Sequence, residues 1–304
     1  MNNNSGLKII LRNIQDTILS EIDRIGIHCR IHARVKDFDS LKEKIERKGS
    51  GHYSKDGKKV QDICGFRITT YFVEDVKLLW DIFERKYQKV DEANDIITTD
   101  NLEVFKPVHK NLICRMTEKD SRTLQELISS STDDTYSLID DTFEVQFRTT
   151  LSEGWHEIDH VLRYKCKSDW DDFLEEWRML NGIYATLETS DKALKALFDD
   201  LSYQHYKKKN WEAMLRTKFR LKFIKESLDA DICDILNTDN DLAKQVFKTD
   251  RQEFIEQIAF SKLHIPISFN NIIYALNYLK ISNSSIEELL PQIIKTDFEM
   301  HFKS

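Results

Sequence analysis

One stretch of this chain, the residues from Phe143 to Lys165, constrains its fold more than any other; it reads FEVQFRTTLSEGWHEIDHVLRYK. Phe143, Val145 and Phe147 alternate with polar residues, and this period of two predicts a strand with one apolar and one polar face. The spacing then becomes helical, so we predict a strand that runs directly into an amphipathic helix. The polar side chains of the strand are Glu144, Gln146 and Arg148.

The helix after this strand is expected to bury one apolar stripe and to carry histidines beside it. Trp155, Ile158 and Leu162 recur at helical spacing, which predicts that all three are buried. The polar residues on a neighbouring face are His156, His160 and Arg163. A carboxylate on the strand and histidines on the helix make this junction the first place to look for a functional site.

The segment from His156 to His160 also matches H-E-x-x-H, a pattern in which two histidines bind zinc and the glutamate activates water. No third histidine follows at the protease spacing, so a third ligand would have to be a glutamate such as Glu175, Glu176 or Glu188. Zinc is therefore the weaker interpretation of this helix.

The composition indicates a globular protein. With 304 residues, of which 40% are hydrophobic, the chain has room for one large domain or two ordinary ones. Its longest apolar runs are far shorter than the roughly 20 residues of a membrane helix, and its Asn-rich start lacks the layout of a signal peptide. We therefore expect a soluble, cytoplasmic protein. The five cysteines form no C-x-x-C pair, which argues against a disulfide framework and a cysteine zinc site.

The N-terminal part of the chain predicts a helix and then a strand with a basic face. Apolar residues recur at helical spacing from Leu7 to Ile25, between a Ser5 cap and Gly26. From His28 onwards the period is two, with apolar residues on one side of the strand. The other side carries His28, Arg30, His32, Arg34 and Lys36.

A short helix is predicted next, with Asp37 or Asp39 as its N-cap. Ser40 and Lys44 lie near its start, where free backbone N–H groups and the helix dipole favour a polyphosphate. A solvated basic face explains the same residues equally well, because Lys and Arg are common on protein surfaces.

The second predicted strand runs from Val60 to Phe72 and contains another acidic candidate, Asp62. Asp62 and Arg67 are five positions apart, so in a regular strand they would face opposite sides unless Gly65 marks a bulge. The other elements expected before residue 143 are a helix at 74–87, a polar loop at 91–103, a strand at 111–116 and a loop at 129–141. This order of elements predicts an α+β fold with a mixed β-sheet.

The chain beyond Lys165 predicts helices. Two apolar stripes are expected in the core, and their residues are Trp170, Phe173, Trp177 and Leu180, then Leu194, Leu197 and Leu201. Residues 230–304 contain short amphipathic segments and a capping box at Ser284 and Glu287, which predicts an all-helical C-terminal region. We place the domain boundary after residue 200, so that residues 1–200 and 201–304 form two domains.

The segment from Tyr203 to Lys225 is strongly basic, with eight Lys or Arg residues and one acidic residue, whereas the whole chain has a net charge of −7. Its aromatic residues include Tyr206, Trp211 and Phe219. Basic and aromatic side chains together suit an RNA backbone and its bases. A surface stripe that pairs with acidic residues or with a partner helix is the interpretation that charge runs favour.

Three blocks of this sequence resemble the synthetase domain of the RelA/SpoT family, the alarmone (p)ppGpp synthetases. They are RVKDFDSLKEKIERK at 34–48, VQDICGFRI at 60–68, and EVQFRT with WHEIDHVLRYK at 144–165. The resemblance covers roughly residues 1–200 and implies a nucleotidyltransferase-like mixed β-sheet flanked by helices. It also implies a pyrophosphokinase, which moves the β,γ-pyrophosphate of ATP to the 3′-hydroxyl of GDP or GTP. The family's hydrolase motif does not appear in this sequence.

The resemblance assigns roles to individual residues. It implies that Asp62 is the principal Mg²⁺ ligand and that Glu144 assists the metal or takes the acceptor's proton. Mg²⁺ bridging phosphates is normally held by one or two carboxylates, which agrees with these residue types. The residues implied in ATP binding are Arg34, Lys36, Ser40 and Lys44. The residues implied to line the site are Arg67, Gln146, Arg148 and His160. For Arg148 and His160, a structural role in holding the strand against the helix is an equal alternative.

The acceptor segment departs from the family pattern, which is of the type G-Y-x-S-L-H. The aligned residues are VFKPVH, from Val104 to His109. The histidine is kept as His109 and Phe105 offers an aromatic face, but the glycine, tyrosine and serine are absent. The implied acceptor is a guanine nucleotide bound at Phe105 and His109. The alternative acceptors are an adenosine nucleotide and the 3′ end of a tRNA. The alternative function is a regulator that binds nucleotides without turnover.

Overall fold

A computed structural model of the chain describes residues 4–49, 51–88, 90 and 110–302. The residues cluster into two compact units. Unit 1 comprises Met1–Leu19 and Cys29–Asp191, and unit 2 comprises Ser20–His28 and Lys192–Ser304. The predicted boundary after residue 200 stays a prediction.

Unit 1 contains a mixed four-stranded sheet. Its strands are β1 (Cys29–Val35), β2 (Cys64–Thr70), β3 (Lys110–Arg115) and β4 (Thr142–Thr149), in the order β1-β2-β4-β3. β2 pairs in parallel with β4, and the two outer pairs are antiparallel. Gly65 of β2 lies opposite both Arg34 and Glu144, and Arg67 lies opposite Gln146. Paired residues share a face of the sheet, so the polar positions of three strands lie side by side.

The helices of the first part of the chain precede or follow these strands. They are α1 (Asn4–Ile25), α2 (Phe38–Lys48), α3 (Val73–Lys86), α4 (Glu118–Ser130), α5 (Thr150–Ile158) and α6 (Leu174–Lys207). Short 3₁₀ helices span Asp134–Leu138 and Lys167–Trp170, and a π-helical segment spans Asp159–Tyr164. The expected mixed sheet flanked by helices is confirmed.

The apolar face of β4 packs on α3, as the alternation in the sequence predicts. Phe143, Val145 and Phe147 are buried. The ring of Phe147 lies 5.4 Å from the ring of Phe83 and 5.8 Å from that of Trp80, measured between centroids. This contact buries one face of the sheet, so the opposite face carries Glu144, Gln146 and Arg148.

The second strand is shorter than predicted, and this changes the position of Asp62. β2 begins at Cys64, and Val60 forms only an isolated bridge with Ile139. Asp62 therefore precedes the strand, so strand alternation does not separate it from Arg67. The predicted loop at 129–141 is also wrong in part, because it contains the 3₁₀ helix Asp134–Leu138.

The buried face of α5 differs from the predicted stripe. Trp155 is buried as expected, but Ile158 and Leu162 are 52% and 59% exposed. His156 is buried instead, because α6 covers this side: Trp155 Nε1 donates to the carbonyl of Leu180 at 2.8 Å. The π-helical segment from Asp159 has wider turns than an α-helix and shifts the later residues out of the predicted register.

The apolar stripes predicted after Lys165 are wrong at several positions. Phe173 and Leu197 are exposed, and Trp170, Trp177, Leu180 and Leu194 are only half-buried. Tyr184 of α6 is buried in their place, with its ring 4.8 Å from that of Trp155. Helical spacing identifies which residues share a face but does not reveal which face another element covers.

Unit 2 is helical, as expected for the C-terminal region. Its further helices are α7 (Trp211–Phe219), α8 (Ala230–Thr238), α9 (Asn240–Lys248), α10 (Arg251–Phe260), α11 (Phe269–Leu276), α12 (Ser284–Leu289) and α13 (Gln292–His301). The N-cap of α12 is Asn283, whose side chain accepts from the backbone N–H of Ile286, so the predicted Ser284 capping box is wrong. Among the described residues, no helix has the length and apolar content that crossing a bilayer requires.

Candidate active site

A cleft opens on the polar face of the sheet in unit 1. β1 contributes to it through alternate residues, since the burial of its side chains follows a period of two. β2 and β4 contribute from directly opposed positions. The side chains and backbone that line the cleft belong to His32, Arg34, Lys36, Asp62, Gly65, Phe66, Arg67, Glu144 and Gln146.

Asp62 lies between two lysines from different elements. Lys36 follows β1 directly and Lys44 lies on α2, and both ammonium groups donate to Oδ2 of Asp62, that of Lys44 at 2.8 Å. The backbone N–H of Lys36 donates to the carbonyl of Ile63 at 2.8 Å, which fixes Lys36 beside the start of β2. Two cations on one carboxylate oxygen leave this cluster with an excess of positive charge.

The charges of this cluster shift its pKa values. Burial alone would raise the pKa of Asp62, but the Lys36 and Lys44 ammonium groups outweigh burial and lower it. Burial lowers the pKa of Lys36, whereas for Lys44 the Asp62 carboxylate outweighs burial and the pKa is raised. Asp62 is therefore ionised at neutral pH.

The second carboxylate oxygen of Asp62 is buried and has no hydrogen-bond partner among the residues that the structure describes. A buried acceptor without a donor costs free energy, because it has lost water and gained nothing in exchange. A cation placed at Oδ1 would satisfy it.

Glu144 supplies the other carboxylate of the cleft. Asn111 Nδ2 donates to Oε1 and Gln146 Nε2 donates to Oε2, both at 3.0 Å. Burial raises the pKa of Glu144, and the negative charge of Asp62 raises it further. Two carboxylates that repel each other in a half-buried cleft are typical of a site that binds a cation.

The donor set fits Mg²⁺ held jointly by protein and phosphate. Mg²⁺ usually takes one or two carboxylates, with waters and substrate phosphates as its other ligands. Asp62, with its unpartnered oxygen, and Glu144 match this requirement. Within the described parts of the chain, no three His, Cys, Asp or Glu side chains are grouped as a metal site. The zinc interpretation of the helix therefore gains no support, because its His156 is buried and its Glu157 pairs with Arg67.

Two arginines complete the polar face of the sheet. Arg67 NH1 donates to Glu153 at 2.7 Å and also to Glu157, and Arg67 Nε donates to Gln146 at 3.4 Å. Arg148 shares two of these three partners: it donates to Glu153 at 3.5 Å and to Gln146 at 3.3 Å. Burial lowers the pKa of Arg148, and the charge of Arg67 lowers it further.

The cleft lies in the part of the chain that matches a known family. Residues 33–169 match the model of the region found in RelA/SpoT proteins. This segment is similar to RelA/SpoT proteins, and the match covers less than half of the chain. The resemblance noted in the sequence blocks is thereby confirmed, and each residue to which it assigned a role lies within the matched segment.

Individual relatives of the RelA/SpoT region are distant. The chain is 24% identical over 139 residues to the GTP pyrophosphokinase YwaC of Bacillus subtilis strain 168, an alignment that spans 45% of this chain and 59% of that protein. It is similar to the crystal structure of small alarmone synthetase 1 from Bacillus subtilis, with a TM-score of 0.44, 19% identity, and coverage of 62% of this chain and 90% of that one. It is also similar to the structure of a GTP pyrophosphokinase family protein from Streptococcus pneumoniae, with a TM-score of 0.43 and 26% identity. That match covers 64% of this chain and 87% of the other chain.

The structure of the RelA/SpoT region brings most of the predicted site residues together. The predicted residues that line the cleft are Arg34, Lys36, Asp62, Arg67, Glu144 and Gln146. Lys44 and Arg148 contact this group through hydrogen bonds to Asp62 and Gln146. Their individual roles stay predictions.

Of the other four predicted site residues, the structure describes two, and neither belongs to the lining of the cleft. Ser40 is exposed in the first turn of α2, where its backbone N–H donates to the Asp37 cap at 3.3 Å. His160 lies in the π-helical segment with its ring stacked on Tyr164, and partial burial together with the charge of Lys165 lowers its pKa. Phe105 and His109 lie outside the described residues.

Sequence reasoning missed three residues of the RelA/SpoT region's cleft. Asn111, Glu153 and Glu157 hold Glu144, Arg67 and Arg148 by side-chain hydrogen bonds. Asn111 is a polar residue at the start of an apolar strand, and Glu153 follows the strand–helix junction. Both positions are therefore a weak indication in the sequence of residues that belong to the site. Their partners belong to other strands, which spacing along the chain does not show.

Proposed function

We propose that the RelA/SpoT region is a Mg²⁺-dependent pyrophosphokinase that transfers the β,γ-pyrophosphate of ATP to the 3′-hydroxyl of GDP or GTP. The observation that carries this proposal is Asp62, whose Oδ1 is buried without a partner while its Oδ2 holds Lys36 and Lys44. A carboxylate for a metal and two cations for phosphates are what phosphoryl-type transfer requires of a protein. The naming of a relative as a GTP pyrophosphokinase supports the same reaction.

The cluster around Asp62 is arranged to exchange partners when ATP binds. Lys36 and Lys44 neutralise Asp62 in the free protein, and the phosphates of ATP offer the same ammonium groups a more highly charged partner. Asp62 and Glu144 would hold Mg²⁺, which would supply positive charge to the phosphate oxygens. Arg34 of β1 lines the same cleft, and we assign to it the contact with the base of ATP.

We assign to Glu144 the role of assisting the metal or of accepting the proton of the attacking hydroxyl. Its raised pKa makes it a better base than an ordinary glutamate, and Asn111 and Gln146 hold its orientation. In the transfer, the 3′-oxygen bonds to the β-phosphorus of ATP and the bond from that phosphorus to the α,β-bridging oxygen breaks. AMP leaves, and the hydroxyl proton goes to a base such as Glu144.

The experiment that tests this function supplies the purified protein with Mg²⁺ and ATP labelled on the γ-phosphate. GDP, GTP, ATP and bulk tRNA are offered separately as acceptors. We expect label on a guanosine nucleotide and an equal amount of AMP, with Asp62→Asn inactive. The matched control is Glu118→Gln, which changes an exposed carboxylate of the same unit and is expected to keep full activity.

Each other outcome of this assay identifies a different function. Label on tRNA, or in a new adenosine nucleotide that carries a 3′-pyrophosphate, would replace the guanine nucleotide by one of the alternative acceptors. Binding of ATP without transfer to any acceptor would instead support a nucleotide-binding regulator. Transfer that Asp62→Asn leaves undiminished would contradict the role given to Asp62.

RNA contact through residues 203–225 stays a prediction, and the structure reduces the number of side chains that are available for it. Trp211 and Phe219 are buried, so they are not available to stack on bases. Lys207, Lys208 and Lys209 are exposed and suit phosphates. Binding of a single-stranded RNA that weakens with salt and with Lys207→Gln would support this contact, whereas unchanged binding by that variant would contradict it. The cytoplasmic location and the oligomeric state also stay predictions.

A further inference from the structure

Two glutamates of α5 share one arginine of the cleft. Arg67 NH1 donates to Glu153 at 2.7 Å and to Glu157. Glu153 also holds Arg148, whose NH1 lies 3.5 Å from Glu153 Oε2. One guanidinium group thus has two carboxylate partners, of which one is shared with a second guanidinium group.

The start of α5 places both glutamates over the sheet. Thr149 ends β4 and caps α5, accepting from the backbone N–H of Ser152, while the Ser152 hydroxyl accepts from the backbone N–H of Thr149. The helix therefore begins directly after the strand, with Glu153 in its first turn. Glu157 follows four residues later on the same side of the helix, so both carboxylates reach Arg67 of the neighbouring strand β2.

The two glutamates differ in exposure. The side chain of Glu153 is 23% exposed, close to the value of 18% for Arg67, whereas that of Glu157 is 49% exposed. Exposed ion pairs contribute little and exchange readily with ions from solution. Removing one partner of a largely buried pair leaves an uncompensated charge and is costly. We therefore expect the ion pair of Arg67 with Glu153 to persist when an anionic ligand binds. The ion pair of Arg67 with Glu157 is the one that such a ligand can replace.

We propose that Glu153 is a positioning residue that orients Arg67 and Arg148, and that Glu157 is an internal competitor for the anionic ligand of the cleft. This inference rests on the proposed function, because it assumes that a nucleotide binds beside Arg67. When the nucleotide phosphates approach, they replace the Glu157 carboxylate on the exposed side of Arg67. Glu153 keeps the guanidinium group in place during this exchange.

Opposite effects of two similar substitutions follow from this arrangement. Glu157→Gln removes a competing negative charge, so the dissociation constant of the nucleotide should fall by about 3-fold, in proportion to the small free energy of an exposed ion pair. Glu153→Gln weakens charge-assisted hydrogen bonds to two arginines, so that constant should rise by about 10-fold. A purely structural role for either glutamate would not produce tighter binding.

The experiment measures binding of a non-hydrolysable ATP analogue with Mg²⁺ to the full chain by calorimetry, for wild type, Glu153→Gln and Glu157→Gln. The control is Glu118→Gln, whose pair with Arg122 is exposed and belongs to α4. The gain from Glu157→Gln should shrink at high salt, because added ions screen the charge it removes. It should also disappear in an Arg67→Gln background, where the cation shared by the two glutamates is absent.

Unchanged or weaker binding by Glu157→Gln, with an unchanged melting temperature, would overturn the competitor role. Unchanged binding by Glu153→Gln would overturn the positioning role. If Glu153→Gln does not fold, Glu153→Asp replaces it as the test of the positioning role. The salt dependence of Glu157→Gln still decides the competitor role, because that side chain is half exposed. A wild-type protein that binds no ATP analogue at all would instead overturn the proposed function, and this inference with it.

Discussion

The ammonium group of Lys44 lies 2.8 Å from Oδ2 of Asp62, although 18 positions separate the two residues in the chain. This ion pair joins α2 to the segment that leads into β2. Lys36 donates to the same oxygen, so one carboxylate is the shared partner of two cations and the cluster keeps one excess positive charge. The stability of unit 1 consequently depends on the same charge to which the proposed function assigns nucleotide binding.

Asp62→Asn is expected to destabilise unit 1 by about 1–3 kcal/mol, because a neutral amide leaves two largely buried ammonium groups uncompensated. Urea unfolding in the absence of nucleotide measures this change. Asp134→Asn is the control, since Asp134 pairs with Lys55 but is 96% exposed, and it should change the free energy of unfolding by less than about 0.5 kcal/mol. An unchanged unfolding midpoint for Asp62→Asn would show that the lysines find other partners.

Gly65→Leu is expected to block the cleft without unfolding the sheet. A Cβ at Gly65 would have its nearest neighbour, the carbonyl oxygen of Arg34, at 4.0 Å, so the backbone has room for a side chain. That side chain would point between Arg34 and Glu144, which lie opposite Gly65 on the neighbouring strands. Affinity for the ATP analogue should fall at least ~10-fold, by the loss of one or more charge-assisted contacts.

Two controls accompany this variant. Gly65→Ala should bind nearly as the wild type does, and it should raise the free energy of unfolding by up to roughly 1 kcal/mol, because glycine is unfavourable in a strand. Gly182→Leu alters an open position on α6 and should leave the affinity unchanged, although it too should raise the free energy of unfolding by up to roughly 1 kcal/mol, because glycine is unfavourable in a helix. Equal affinity for Gly65→Leu and wild type would mean that the nucleotide does not enter this cleft.

Thr149→Ala is expected to destabilise unit 1 by about 2 kcal/mol. The buried Thr149 hydroxyl accepts from the backbone N–H of Ser152 at 3.1 Å and donates to Asp191 at 2.6 Å, so alanine removes a helix cap and leaves a buried carboxylate oxygen without its donor. Thr149→Ser should restore most of the loss in urea unfolding. Thr189→Ala, on the exposed side of α6, should cost less than about 0.5 kcal/mol, and a similar cost at both positions would contradict the capping argument.

Lys218→Met is expected to stabilise unit 2 in a pH-dependent way. Burial, and then the charge of Arg220, lower the pKa of Lys218 from 10.5 to about 8. Its ammonium group lies 5.3 Å from the ring centroid of Phe247 and 5.8 Å from that of Phe219, so a methionine side chain would contact two aromatic rings. Below pH 8 the lysine is charged in both the folded and the unfolded state, and the full penalty of burying that charge is present.

Between about pH 8 and 10.5 the folded state loses the proton first, so this penalty declines as the pH rises. The advantage of Lys218→Met over wild type in urea unfolding should therefore be larger at pH 7 than at pH 10. Lys262→Met, which changes an exposed lysine of the same unit, should show no such trend. An advantage that is constant with pH would indicate a packing effect alone.

Local periodicity was sufficient to predict the elements whose pattern of apolar residues depends on their own sequence alone. The alternation of β1 and β4 and the apolar stripe of α1 follow from residues within each element, and all three form as expected. The family blocks added the proximity of Asp62, Lys44 and Glu144, which no spacing rule provides. Periodicity failed for Ile158 and Leu162, where the packing of α6 decides which face of the helix is covered.

The sequence by itself determined the strand–helix junction, the polar face of β4 and the residue types that a phosphate and a metal require, because these depend on neighbours along the chain. Only the tertiary structure decided that β2 starts after Asp62, that Asn111 holds Glu144, and that Glu153 joins Arg67 to Arg148. Those contacts connect separate strands and helices. Their geometry depends on the pairing of the sheet and the covering of its helices, which are properties of the folded chain as a whole.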